Sequence, residues 1–352
     1  MRHVIRRTIS KAAFSLALAL FGAMPQAHAD EGGVSLWLPG TFGSLAATPL
    51  TPGWSLATVF YHTSVKASGN VAAAREVTIG RFNRNVVVDL NVNLKSHVDL
   101  IAAIPTYVFA QPILGGQLAV SVMGAAARPY VELNGNLTLT GPNGGTITGQ
   151  GTRSDQITAF GDLYPQVSWR VNHGVHNFMV YGFGDIPVGA YDPQRLANVG
   201  IGHGGIDGGG GYTYFNPATG HEFSAVAGVT YNFKNWHTDY QNGIDFHLDW
   251  GASQFISKQV QVGLVGYAYQ QLTPDKGQAA FLGDMKSRVF GVGPQIGVIF
   301  PVGDMQGYLN LKGYGEFGAE NRASGWNAWV TFVISPPAPG EAKPMKPLVT
   351  KY

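Results

Sequence analysis

From Val86 to Leu100 the chain alternates with period two. The even positions are Val86, Val88, Leu90, Val92, Leu94, Ser96, Val98 and Leu100, and the odd ones include Asp89, Asn91, Asn93, Lys95, His97 and Asp99. Successive strand side chains point to opposite faces, so this pattern predicts one oily and one wet face. The alternation passes through Ser96-His97 without changing phase, which predicts a single long strand over 81–111. The pattern returns at Gly243–Ile256, where Ile244, Phe246, Leu248, Trp250, Ala252 and Ile256 share one face and Asp245, His247, Asp249, Gly251 and Ser253 the other.

A soluble sandwich also alternates, but its strands usually have about 5–6 residues. These run well past ten, with the apolar face read as outward and the polar face as inward. The expected fold class is therefore all-β, a transmembrane antiparallel β-barrel. Turn signals divide the chain into twelve strands, at 54–66, 81–111, 117–135, 155–172, 177–189, 208–216, 221–234, 241–256, 259–272, 286–300, 305–317 and 325–335. The number is even, and long links (67–80, 136–154, 190–207, 235–240, 273–285, 318–324) alternate with short ones, as expected when long loops face outward and short turns the periplasm. Hydrocarbon offers no partner to free backbone groups, so strands that cross it must close into a ring. Aromatics at strand ends (Trp169, Trp236, Tyr240, Trp250, Trp326, Trp329, Phe332) are candidates for interfacial girdles.

Composition agrees with this reading. The 352 residues include 48 glycines, only 12% charged residues and no cysteine, whereas a soluble domain carries about 25% charge. No stretch after Met24 has the roughly 18 apolar residues a membrane helix needs. Residues 1–29 read as a secretory signal: Arg2, Arg6, Arg7 and Lys11 form a basic head, Ala12 to Met24 an apolar core, and Ala27-His28-Ala29 a cleavage site. Without that segment 19 basic residues face 21 acidic ones, a net charge of −2 that gives no reason to expect a nucleic-acid partner. Residues 30–53 carry three prolines and the apolar Leu36, Trp37, Leu38 and Phe42, which predicts a plug or lead-in segment before a barrel at 54–335. Residues 336–352 form a proline-rich periplasmic tail.

Candidate chemistry follows from the inward faces. The alternation assigns Asp89, Lys95, His97, Asp99, Asp162, Arg170, Glu222, Lys234, Asp245, His247, Asp249, Lys312 and Glu316 to the lumen. His203, His221, Glu222, His237, Asp239, Asp245, His247 and Asp249 invite a metal reading. Alternate strand positions lie about 7 Å apart, though, too far for one zinc without neighbouring strands. Neither metal nor cofactor is expected. Gly208–Gly211 precedes no helix and reads as a loop feeding a strand, not a phosphate cradle. An outer-membrane lipase would need serine and histidine together on the lipid face, which is almost wholly apolar, so no enzymatic role is expected.

The second half of the chain resembles a known family. GDLYP (161–165), VGAYDPQRLANVG (188–200), GHEFS (220–224), YNFKNWHTDYQNGIDFHLDW (231–250), YAYQQLTPDKG (267–277), GDMKSRVFGVGPQIG (283–297) and EFGAENRASG (316–325), with LPGTFGS (38–44) and PLTPG (49–53), are similar to the outer-membrane barrels named for the meta-pathway of phenol degradation, also described as sphingosine-induced outer-membrane proteins. The resemblance implies a Gram-negative outer-membrane protein that admits a hydrophobic small molecule. Its family-like positions are Gly161, Asp162, Pro165, Gly189, Tyr191, Asp192, Asn198, Gly200, Asn235, Thr238, Asp239, Tyr240, Gly243, Gly293, Pro294, Glu316, Asn321 and Arg322. The expected function is passive uptake of small hydrophobic or aromatic compounds through a polar, partly plugged lumen. The expected partners are the solute, membrane lipids and lipopolysaccharide, with the oligomeric state open. The expected path is Trp37, Phe42, Asp162, Tyr191, Asp192, Asp239, Tyr240, Asp245, His247, Asp249, Glu316 and Arg322. A structural or adhesive surface barrel and a lipid-modifying enzyme are the alternatives.

Overall fold

The computed structural model describes residues 35–69, 87–140, 145–277 and 286–337, and every regular element among them is a strand. In chain order these are β1 Gly53–Gly69, β2 Val87–Val108, β3 Gln117–Thr140, β4 Thr146–Gln156, β5 Ala159–His173, β6 His176–Asp185, β7 Gly205–Asn216, β8 His221–Asn232, β9 Tyr240–Gln241, β10 Asp245–Phe255, β11 Val260–Gln271, β12 Lys276–Gly277, β13 Arg288–Val302, β14 Met305–Glu320 and β15 Ser324–Ser335. Twelve of them pair antiparallel in sequence order, and β1 pairs with both β2 and β15, which closes the ring. Closure leaves the twelve-strand ring itself without a free edge, the condition hydrocarbon imposes on backbone polar groups. The short pair β9–β12 lies outside the ring.

Turns at one end are tight. Gly174 (φ 65°) turns β5 into β6 and Gly303 (φ 59°) turns β13 into β14, and the left-handed backbone at both sites suits a residue without Cβ. The opposite end carries the long links. There the expected link 136–154 is mostly strand, because β3 continues to Thr140 and β4 returns from Thr146. β4 pairs with the upper part of β3 and β5 with its lower part, so β1 to β4 rise as a tall wall on one side.

Alternation sets the faces. On β1, Val59 and Tyr61 are buried inside while Leu56 and Phe60 are exposed outside. On β10, Asp245, His247 and Asp249 are buried inward and Phe246, Leu248 and Trp250 take the other face. The upper half of β2 reverses the expected phase. Leu94, Ser96, Val98, Leu100 and Ala102 line the interior, so Lys95, His97 and Asp99 face outward. They meet neighbours there: His62 Nδ1 lies 2.7 Å from Asp99, Lys95 lies 3.6 Å from Glu132, and the His97 ring stacks on Tyr130. Period two shows which residues share a face, and pairing with β1 (Tyr61 with Leu100, Val59 with Ala102) decides which face turns inward. Outward apolar residues here end at Phe60 and Ile101, and above them the outer face is polar because it lies beyond the apolar belt.

Other expectations change as well. Lys234 follows the end of β8 and ion-pairs with Asp239 in the loop instead of lining the wall. Trp329 is no girdle residue, since it turns inward, 4.6 Å from Tyr61 between ring centroids. Gly208–Gly211 lies within β7, where a Cβ on Gly209 would strike the Tyr181 hydroxyl and the Ala227 carbonyl. The Asp89 side chain, the signal segment and residues 338–352 lie outside the described residues.

Candidate functional site

The interior holds a cavity of about 1750 Å³. One wall is built by β1, β2 and β3, whose inward residues include Val59, Leu94, Val98, Leu100, Ile104, Met123, Val131 and Leu133. The opposite wall is polar: Thr213, Glu222, His247, Asp249, Ser253, Gln295 and Lys312 are all buried there.

Residues 35–52, ahead of β1, lie against this polar wall. Asp249 takes the N–H of Gly40 on Oδ1 and that of Phe42 on Oδ2, both at 3.0 Å. Lys312 Nζ donates to the carbonyl of Gly40 at 2.5 Å and to that of Phe42 at 3.2 Å. One short loop is thus held by an anion on its amides and a cation on its carbonyls, and the two charges neutralise each other through the peptide dipoles between them. Further along, Leu45 N–H donates to Glu222, Ala47 N–H to Thr213, and the Leu50 backbone exchanges two hydrogen bonds with Gln117. Ser44 meets Ser253 at 2.6 Å and accepts from Gln295.

Trp37 is the hydrophobic contact of this segment. Its ring stacks on His247 with centroids 3.6 Å apart, and Phe42, Tyr181 and Phe183 surround it at 5.7, 6.2 and 5.8 Å. His247 in turn lies 2.9 Å from Asp207, whose carboxylate also accepts from Thr230. Beside it, beginning on β11 next to β10, a second aromatic group joins Tyr61, Tyr267, Tyr314 and Trp329, with Leu38 of the segment packed against it. Trp329 Nε1 donates to Asn327, Asn327 Nδ2 to the Tyr267 hydroxyl, and that hydroxyl to Glu316 at 2.8 Å. The remaining Glu316 oxygen accepts the Gly325 N–H, so this carboxylate is satisfied by the wall.

A family model described as "Putative MetA-pathway of phenol degradation" matches residues 80–332. The chain belongs to this family. No curated protein matches it. Among solved structures, the COG4313 outer membrane channel from Pseudomonas putida F1 is similar at 12% identity and a TM-score of 0.55, covering 85% of this chain and 99% of that one. A Pseudomonas aeruginosa FadL homologue is similar at 9% identity and a TM-score of 0.38, covering 80% of this chain and 88% of that one. The first of these likenesses concerns the fold.

Within this family barrel, the sequence-derived path residues do not converge on one site. Trp37, Phe42, His247 and Asp249 come together at the segment. Asp162 fastens loop 186–204, accepting the N–H groups of Gly189 at 2.7 Å and Ile201 at 2.9 Å. Tyr191 accepts from Asn235 Nδ2, Asp192 caps Gln194, Asp239 pairs with Lys234, Tyr240 donates to Asp275, and Arg322 lies over the Tyr269 ring. Asp245 accepts from Asn232. Most of these build the long-link end. Tyr61, Tyr181, Asp207 and Tyr267 escaped the sequence reading, although Tyr267 and Tyr269 at spacing two sit on one face of β11. Among the described residues no group of three or more His, Asp or Glu is placed to hold a metal ion.

Proposed function

We propose that this chain is an outer-membrane channel for passive movement of small apolar or aromatic compounds, and that residues 30–53 form a fixed insert that shapes its path. The short-turn end is then periplasmic and the long-link end external. The observation that carries the reading is the asymmetry of the lumen. The segment covers much of the polar wall and turns Trp37 and Phe42 toward the cavity, while the facing wall of β1 to β3 is mainly apolar from Leu133 down to Ile104, interrupted by Thr63 and Ser96. A solute moving between them meets mostly apolar side chains, and ions meet little that replaces their hydration. Lipid and lipopolysaccharide surround the outer face.

Deleting residues 31–50 is the test. The expected result is a sharp rise in ion conductance across a planar bilayer and loss of preference among solutes, because the polar wall is uncovered. Conductance and solute uptake both matching the intact chain would overturn the proposal.

A further inference from the structure

The described residues contain two buried cationic side chains, Lys312 and Arg170. Lys312 is surrounded by carbonyls and faces Asp249 across the loop at residues 40–42. Arg170 is different. It is 9% exposed, lines the cavity, and donates from Nη1 to Ser168 Oγ, while its Nε has no partner. Among the described residues no carboxylate oxygen lies within 4 Å of it.

The strand register explains this isolation. Arg170 sits between Gln117 of β3 and Met179 of β6. Gln117 is occupied by the Leu50 backbone, and Met179 carries no charge. The acid on β6 is Asp185, six positions beyond Met179 and about 20 Å away by strand rise. An unpaired buried charge is costly, and ionisable groups inside membrane proteins usually pair with each other or mark a ligand or ion path.

Resting on the channel reading above, we propose that Arg170 is an anion-recognition site at the periplasmic end of the path, and that the favoured solutes are apolar or aromatic compounds bearing one carboxylate. The planar guanidinium fork matches a carboxylate in bidentate geometry, which a hydroxyl or amide cannot reproduce. Met179, its register partner on β6, and Leu50, held by Gln117 on the other side, line the same cavity and offer apolar surface for the rest of the molecule. A neutral solute gains that apolar contact alone. Arg170 thus adds head-group selection to a path otherwise selective for apolar bodies.

Equilibrium dialysis of labelled 4-phenylbutyrate and 4-phenyl-1-butanol against the detergent-solubilised full chain at pH 7.5 tests this, since the two differ only at the head group. The acid should bind the native chain more tightly than the alcohol. Arg170→Gln should weaken the acid about 10- to 100-fold, the range of a charge-assisted pair, and leave the alcohol unchanged. Arg170→Lys should recover part of the loss. Faster migration of the unboiled variant on a denaturing gel establishes that its barrel has closed. Equal binding of acid and alcohol by the native chain, or equal loss of both in Arg170→Gln, overturns the anion site while leaving the channel reading intact. Failure of both compounds to bind, with conductance unmoved by the 31–50 deletion, overturns both.

Discussion

Replacing Asp249 by Ala is the most direct perturbation of the inner segment. The carboxylate is 1% exposed and satisfies two backbone N–H groups, those of Gly40 and Phe42. Its loss leaves both donors unpaired and removes the nearest counter-charge of Lys312. Each buried donor left unsatisfied costs about 1–3 kcal/mol, but water that reaches the lumen recovers part of this, so a net loss of about 3 kcal/mol is expected. That is a shift on the order of 10²-fold between the seated and released segment. Asp249→Asn keeps one acceptor and should shift it roughly 10-fold, about half the free energy. The barrel ladder does not pass through this contact, so the strands should stay intact. Amide hydrogen exchange at Gly40 and Phe42 reads the equilibrium even when release is rare. Both protection factors should fall by the stated amounts while those of β10 hold. Unchanged exchange at these two amides in Asp249→Ala would refute the idea that the charge pair seats the segment.

Two further predictions concern strand faces and the long-link end. Leu248→Arg puts a charge on the outward face of β10 and should cost roughly 2–4 kcal/mol near the bilayer midplane, measured by denaturant titration in vesicles; a cost near zero would mean that the face does not meet lipid. At loop 186–204, burial pulls the Asp155 carboxylate up, but the Ala197 N–H, the Arg195 guanidinium and the Gln156 N–H together hold it below its usual value. The folded value is depressed, so its stabilisation is full above the ordinary carboxylate value of about 4 and is lost as pH falls through the depressed value. Amide protection at Leu196 and Ala197, corrected for intrinsic exchange, should drop only in that acid range, and Asp155→Asn should abolish the pH dependence.

Twelve long strands, their order and most of their limits were legible in the sequence, because alternation and turn residues are local properties of the chain. Asp245, His247 and Asp249 could be placed on one face for the same reason. What period two leaves undetermined is which face turns inward, and β2 shows this: Lys95, His97 and Asp99 point outward because register against β1 puts Leu100 and Ala102 inside. The depth of each residue relative to the apolar belt is equally non-local, so the polar outer face above Phe60 could not be distinguished from a polar lumen. The site depended on closure still more. Gly40 meets Asp249 across 209 residues and Lys312 across 272, contacts that exist only once the ring is complete. The charge of Arg170 was visible in the sequence, but its lack of a partner is a property of the neighbouring strands, and the tertiary structure alone decides which side chains those strands bring beside it.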